Sequence, residues 1–143
     1  MVLNQDCIRD LMLYLEENLK LNDYLSVSSI SLKNYSPEEL LYTADKLYEA
    51  EYLKCSRKVY DNTDLMIFVS SITYNGHQFL DNIRDEKVFT KTKSILSTFK
   101  SVSVEIISET ASKVITNMIN QQLNSWKPDY FFLNFLMLTR TRH

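Results

Sequence analysis

Residues 36–70 decide the fold, and they read SPEELLYTADKLYEAEYLKCSRKVYDNTDLMIFVS. Ser36 followed by Pro37 is typical of a helix start, because the serine side chain accepts from free amide groups and proline already has a helical φ. After this helix, residues 52–60 and 65–70 favour two strands rich in β-branched and aromatic side chains. Residues 61–64 between them have turn chemistry. The stretch therefore predicts one helix followed by a β-hairpin.

The flanking sequence predicts further elements. Upstream, apolar residues recur at helical spacing from Ile8 to Leu19, which indicates an amphipathic helix. Residues 26–33 alternate, so we expect a short strand that pairs with the hairpin in a small antiparallel sheet. Downstream, apolar stripes at helical spacing begin near residues 73, 88 and 107. The pattern leaves open whether the helix continues or bends at the polar residues 84–87.

These elements predict an α+β fold. The order helix, short strand, helix, β-hairpin is that of a winged-helix-like domain, here with an α-helical C-terminal extension. We divide the chain into a winged-helix-like core with a hairpin wing at residues 1–72 and a helical extension packed on it at residues 73–124. Residues 125–143 form an apolar tail that is a candidate interface.

The composition excludes several function classes. The chain has 143 residues, a formal net charge of −2 and a single glycine, Gly76. Loops that cradle phosphates need several glycines, so neither a P-loop nor a dinucleotide fingerprint can be built. Two cysteines do not make a disulfide framework, and the longest apolar-rich stretch is too short to cross a bilayer as a helix. We expect a reduced, cytoplasmic protein without membrane contact.

Residues 72–89 carry a family resemblance. They read ITYNGHQFLDNIRDEKVF, which resembles the segment Leu-Thr-x-x-Gly-His-x-Phe-Leu-Asp-x-Ile-Arg-Asp-x-x-Val-Trp of the domain-of-unknown-function family 2513. The resemblance extends over about residues 6–120 and implies a small protein of bacteria, prophages or phages, but no activity. The chain departs from the family in lacking a glycine at residues 50–52 and a histidine at residues 42–46.

Catalytic and metal-binding chemistry have weak support. His77 could act as a general base with Asp81 one helical turn later, yet no nucleophile lies near it in the sequence. We therefore expect His77 to be structural and bonded locally, with Gly76 allowing helix and hairpin to approach closely. The possible zinc ligands, which are Cys7, Cys55, His77 and His143, have no paired spacing. No cofactor, no metal and no enzymatic activity are expected.

The helix at residues 36–53 is acidic. It carries five acidic residues against one lysine, a net charge of −4. In a winged helix this helix usually enters the major groove, and such a charge would be repelled by DNA. We therefore predict that its exposed side binds a basic protein surface and competes there with nucleic acid as a DNA mimic would. The residues expected on that side are Glu38, Glu39, Asp45 and Glu49.

Two basic sets support the alternative of nucleic-acid binding. One lies on the first arm of the hairpin and the other on the helical stripe after it. Their ordinary interpretation is a solvated surface. The candidate residues are Lys54, Arg57 and Lys58 in the first set, and Lys87, Lys91 and Lys93 in the second.

The aromatic tail is a second candidate interface. A cluster of this kind is expected to be buried, either on its own domain or in a homodimer or partner interface. Its candidate residues are Trp126, Phe131, Phe132 and Phe135. From the acidic helix and the apolar tail we expect a non-enzymatic protein that acts by binding another protein. The resemblance implies a phage or prophage setting, so the expected partner is a host regulator or defence component that the protein inhibits in the host cytoplasm. The alternative is a winged-helix DNA-binding transcriptional regulator.

Overall fold

The computed structural model describes residues 1–61 and 64–126. This part of the chain is α+β, with five α-helices and one three-stranded antiparallel sheet. The bounds are α1 (Gln5–Asn18), β1 (Leu25–Ser26), α2 (Pro37–Glu49), β2 (Leu53–Val59), β3 (Leu65–Ile72), α3 (Tyr74–Ile83), α4 (Glu86–Leu96) and α5 (Val104–Ser125). The predicted α+β class and the predicted hairpin are therefore confirmed.

Side-chain caps define the starts of the five α-helices. The Ser36 hydroxyl accepts from the Glu39 amide at 3.1 Å, as the Ser-Pro signal predicted. Asn4 caps α1 and Thr73 caps α3. Ser103 caps α5 in the same way. Each cap satisfies an amide that the helix itself leaves without an acceptor.

The first strand is much shorter than predicted. Only Leu25 and Ser26 pair with β3, opposite Val69 and Phe68. The next three residues form a 3-10 helix, so the expected strand over residues 26–33 is wrong beyond Ser26. The physical reason is burial, because Val27 and Ile30 both reach the core and side chains three apart share one side in a turn of helix.

The helical extension is interrupted at residues 84–85. Asp85 accepts from the Val88 amide and starts α4, and the Arg9 side chain donates to the carbonyls of Ile83 at 2.9 Å and Arg84 at 2.6 Å. The carbonyls freed by the break are thus satisfied from α1. The sequence left open whether one helix continues or bends at this point. The structure has two separate helices, α3 and α4, with a break between them.

One apolar core holds the elements together. The inner sheet face, represented by Ile67 and Val69, packs with Leu11 of α1 and Leu47 of α2. Further along the chain, α5 packs against α3 and α4 and buries Ala111 on the same core. The helices therefore cover one face of the sheet, and the other face carries the exposed side chains described below.

Candidate functional site

The acidic side of α2 is smaller than the sequence predicted. Asp45 is only 8% exposed and accepts from Nε of Arg57 at 2.8 Å. Its expected place on the exposed side is therefore wrong. The reason is that Asp45 follows Ala44 on the side of α2 that faces β2, where an arginine of the hairpin reaches it. The bond also raises the pKa of Arg57.

The remaining acidic candidates are mostly engaged within the chain. Oε1 of Glu39 accepts from Nδ2 of the Asn4 side chain at 3.2 Å. Glu49 forms an ion pair with Lys46 at 3.0 Å, and this pair raises the pKa of Lys46. Glu38 is exposed. A basic partner would consequently meet less free negative charge than the helix sequence implies.

The basic candidates divide in the same way. Arg57 forms an ion pair with Asp45. Lys93 donates to Asp6 at 2.7 Å, and its ammonium group lies over the Phe89 ring. The other four candidates in the two basic sets are exposed lysines, which are Lys54 and Lys58 on β2, and Lys87 and Lys91 on α4.

The second face of the sheet carries exposed aromatic and basic side chains that the sequence analysis did not single out together. Ile67 and Val69 are buried, so the alternating residues Met66 and Phe68 point to the opposite side. We call this side the outer sheet face. It includes a groove of about 560 Å³ lined by Tyr24, Ser26, Ser56, Lys58 and Phe68. In the sequence, only the period-two alternation over residues 24–26 and 66–68 indicated which side chains lie on this face. That alternation shows that the two segments share a face only once the pairing of β1 with β3 is known.

A tight contact joins the hairpin, α2 and α3. A Cβ at Gly76 would overlap the carbonyl oxygen of Tyr52, which accepts from the Thr73 amide at 3.0 Å. The rings of Tyr52 and Phe79 stack with centroids 4.8 Å apart. We call these four residues the junction. The close approach predicted for Gly76 is confirmed.

His77 does not have the predicted role. Its side chain is exposed, lines a groove of about 210 Å³ with Leu15 and Glu16, and makes no hydrogen bond within residues 1–61 and 64–126. The expected local bond is therefore wrong. Asp81, its predicted partner, instead accepts from Arg84 at 2.9 Å. The first turn of α3 points the imidazole outward, because Gly76 and Phe79 occupy the inward positions.

Arg84 links α3 to α1. Its guanidinium donates to Glu16 as well as Asp81, and the bond from Arg84 is the main cause that lowers the pKa of Glu16. The same two carboxylates raise the pKa of Arg84. The Gly76–Arg84 segment thus connects α3 to β3 at one end, through Gly76, and to α1 at the other end, through Arg84.

The sequence model of a family described as "Hypothetical protein (DUF2513)" matches residues 2–103. The chain belongs to the DUF2513 family. The match ends at Ser103, the cap of α5, so it stops earlier than the resemblance over about residues 6–120 had implied. No curated protein and no solved structure matches this DUF2513 chain.

Beyond the matched residues, α5 exposes an apolar stripe. Ile119 is 50% exposed, Leu123 is 63% exposed and Trp126, just after the helix, is 66% exposed. Spaced by four and three residues, they follow one side of the helix. We call them the α5 stripe. The other tail candidates, Phe131, Phe132 and Phe135, lie outside the described residues, as does His143.

The two thiols of this DUF2513 protein are packing groups. Cys7 is buried and accepts from the Thr43 hydroxyl at 3.3 Å. Burial raises the pKa of Cys7 and raises that of Cys55 to about 12. Thiolate is the reactive form of cysteine, so neither sulfur is activated.

Two searches of the described residues give negative findings. Over residues 1–61 and 64–126, no three His, Cys, Asp or Glu side chains cluster as metal ligands. In that same part of the chain, every helix is too short or too polar to cross a membrane.

Proposed function

We propose that this DUF2513 protein is a non-enzymatic binding protein that acts by contacting another protein through the α5 stripe. In this proposal residues 1–72 form a winged-helix-like core, and the helical extension presents α5 at its surface. The observation that carries the proposal is the exposure of Ile119 and Leu123 on one side of α5 and of Trp126 directly after it. Scattered exposed apolar residues are ordinary, whereas a row of them is typical of an interaction site.

The burial along α5 supports this assignment. Ile107, Ala111 and Val114 near the start of the helix are almost completely buried. After Val114, Ile115 and Met118 still pack partly against the core, whereas Ile119 and Leu123 are exposed. One side of the C-terminal half of α5 therefore carries apolar side chains that no described residue covers. An amphipathic helix binds by laying its apolar side into a groove of another protein, with anchors at these helical spacings. Trp126 supplies the largest anchor, and tryptophan is enriched among residues that dominate binding energy.

The acidic side of α2 supports a protein partner less well. Asp45 and Glu49 are paired within the chain, which leaves Glu38 as the exposed carboxylate of the predicted set without an ion pair. A basic partner would have to compete with Arg57 and Lys46. The family resemblance implies a phage or prophage setting, so the proposed partner is a host regulator or defence component that the protein inhibits. The proposal of no enzymatic activity rests on His77, whose expected partner Asp81 is bound to Arg84.

The proposal is tested by affinity capture from a bacterial lysate, with and without nuclease treatment. The test variant is Ile119→Glu combined with Leu123→Glu, and the control is Leu21→Glu, since Leu21 is 93% exposed and lies after α1. We expect a nuclease-resistant protein partner that the double variant loses and the control retains. Light scattering on the purified protein distinguishes a homodimer through the same stripe from a different partner.

Two results would contradict the proposal. The first is a partner retained equally by the double variant and the control. The second is capture that disappears with nuclease, which would favour a DNA-binding regulator instead.

A further inference from the structure

We propose that the outer sheet face binds single-stranded nucleic acid. This proposal is independent of the α5 stripe, because it rests on other residues and on the opposite end of the chain. It differs from duplex binding by a winged helix, in which a helix enters the major groove. Here the bases would stack on the sheet itself.

The strand register places the relevant side chains together. Phe68 is opposite Ser26 on β1 and opposite Ser56 on β2, and Met66 is opposite Lys58. Directly opposite residues in an antiparallel pair project from the same face. The small serines on both sides of Phe68 leave its ring open to the groove of about 560 Å³.

Aromatic rings provide the stacking surface. Tyr24, which is 66% exposed, lies two residues before Ser26 and lines the same groove as Phe68. Tyr24 directly precedes β1, and the two rings line one groove, which offers a ring to each of two neighbouring bases. Base–aromatic stacking tolerates any sequence, because every base has a π-face.

Charge favours a polyanion at this face. Lys58 lines the groove, and Lys54 alternates with the inward residues Leu53 and Cys55, so it projects from the same side. The outward-facing strand residues Ser26, Lys54, Ser56, Lys58, Met66 and Phe68 include no carboxylate. The acidic residues that border the three strands in the described sequence, Asp23, Glu51, Asp61 and Asp64, lie beyond the strand ends.

The combination of rings and lysines selects a single strand. In a duplex the π-faces are stacked inside, and a flat sheet would meet only phosphates. In a single strand the bases can splay onto aromatic side chains while lysines contact the backbone. An acidic peptide would use the lysines but would leave Tyr24 and Phe68 without a stacking partner.

The proposal is tested by fluorescence anisotropy on the full chain, with a labelled twelve-nucleotide oligo(dT), the matching oligo(U) and a duplex of equal length. We expect both single strands to bind with a Kd of roughly 10⁻⁴–10⁻⁶ M at physiological salt and more tightly at low salt, and the duplex to bind more weakly. Tyr24→Ala is expected to weaken binding roughly 5- to 100-fold. Lys58→Glu is expected to weaken it further at low salt and to reduce the salt slope by at least about 0.7.

Matched variants control for general effects. Phe99→Ala removes an exposed ring and Lys113→Glu reverses an exposed charge on α5, both away from the sheet. These two variants should bind as the unmodified protein does. Tyr24→Ala is preferred over Phe68→Ala because the more exposed ring can be removed without disturbing the core, and circular dichroism checks that the fold is kept.

Several outcomes would overturn the proposal. They are the absence of single-strand binding at low salt, a duplex bound as tightly as the single strands, equal losses in Lys58→Glu and Lys113→Glu, or unchanged binding in Tyr24→Ala. Full displacement of oligo(dT) by an equal charge of poly-glutamate would assign the face to acidic peptides. If Tyr24→Ala changed the protein from a dimer to a monomer in solution, the outer sheet face would be assigned to contact with a second copy of the chain.

Discussion

The junction and the α5 stripe contain the same kinds of residue in opposite situations. At the junction, Phe79 is 3% exposed and stacks on Tyr52. On the α5 stripe, Leu123 and Trp126 are about two-thirds exposed. The junction lies inside the part of the chain matched by the family model, and the stripe lies beyond it.

The contrast teaches how the two regions stabilise the protein. Apolar area removed from water contributes about 25 cal/mol per Å² to folding, so the junction stabilises the chain itself. The α5 stripe can contribute such energy only when another surface covers it. Substitutions at the junction should therefore change folding, and substitutions at the stripe should change association.

The largest effect is expected for Phe79→Ala. Removing a buried phenylalanine leaves a cavity and also ends the stacking on Tyr52, so the free energy of unfolding should fall by about 3–5 kcal/mol. Leu123→Ala is the matched control on the α5 stripe and should stay within about 0.5 kcal/mol of the unmodified protein. Urea unfolding followed by circular dichroism measures both. Similar losses in the two variants would remove the contrast between the regions.

A slightly smaller effect is expected for Gly76→Ala. The added methyl would overlap the Tyr52 carbonyl oxygen and lie 2.8 Å from Cγ2 of Ile72, and overpacking of this kind costs about 3 kcal/mol. The control is Asn75→Ala, an exposed position in the same helical turn. If Gly76→Ala unfolds at the same urea concentration as Asn75→Ala, the close approach of Gly76 to the Tyr52 carbonyl does not affect the free energy of unfolding.

A gain in stability is expected for Glu51→Gly. Glu51 has φ 64°, a left-handed conformation that closes α2 while the Tyr52 amide donates to the Leu47 carbonyl at 2.9 Å. A residue with a Cβ is strained there, so glycine should raise the free energy of unfolding by about 1 kcal/mol. Ala50→Gly, one residue earlier with helical backbone, should lower it instead. Thermal unfolding measures both variants. A lower free energy of unfolding in Glu51→Gly would mean that the Glu51 side chain stabilises the fold by more than the strain of its backbone destabilises it.

The smallest effect concerns the ion pair between Glu16 and Arg84. The pKa of Glu16 is lowered from its ordinary value of 4.5 in the folded protein. The pair therefore stabilises the fold above pH 4.5, and this contribution is lost as the pH falls through the folded pKa. Because both side chains are about a third exposed or more, Glu16→Gln should cost less than about 1 kcal/mol at pH 7 and less again at pH 3. Urea unfolding at both pH values, with Glu17→Gln as control, checks this, and a cost that is undiminished at pH 3 would contradict it.

Local sequence signals predicted much of the fold. Helix starts at Ser36 and the apolar stripe from Ile8 concern residues close in sequence, and hydrogen-bond geometry and helical periodicity apply there without knowledge of the rest. The β-hairpin and the close approach at Gly76 were predicted for the same reason. The family resemblance was likewise read from one continuous segment, residues 72–89, and the family model confirms it over residues 2–103.

The predicted site depended on contacts between distant residues, and part of it was wrong. The charge count of α2 could not reveal that Asp45 faces Arg57, twelve residues later on another element. Burial at Val27 and Ile30 replaced an alternating strand by a 3-10 turn. The basic or acidic character of a segment is a property of sequence, whereas the free charge of a surface depends on which partners the fold supplies.

The sequence by itself determined the α+β class, the hairpin, the family and the absence of glycine-rich phosphate loops, because composition and short-range periodicity are enough for each. Only the tertiary structure decided that His77 is exposed, that Glu51 adopts a left-handed backbone and that Tyr24 and Phe68 share the outer sheet face. Those outcomes depend on strand register and on the packing of helices against the sheet. Both are fixed by apolar burial summed over the whole core, which no local segment specifies.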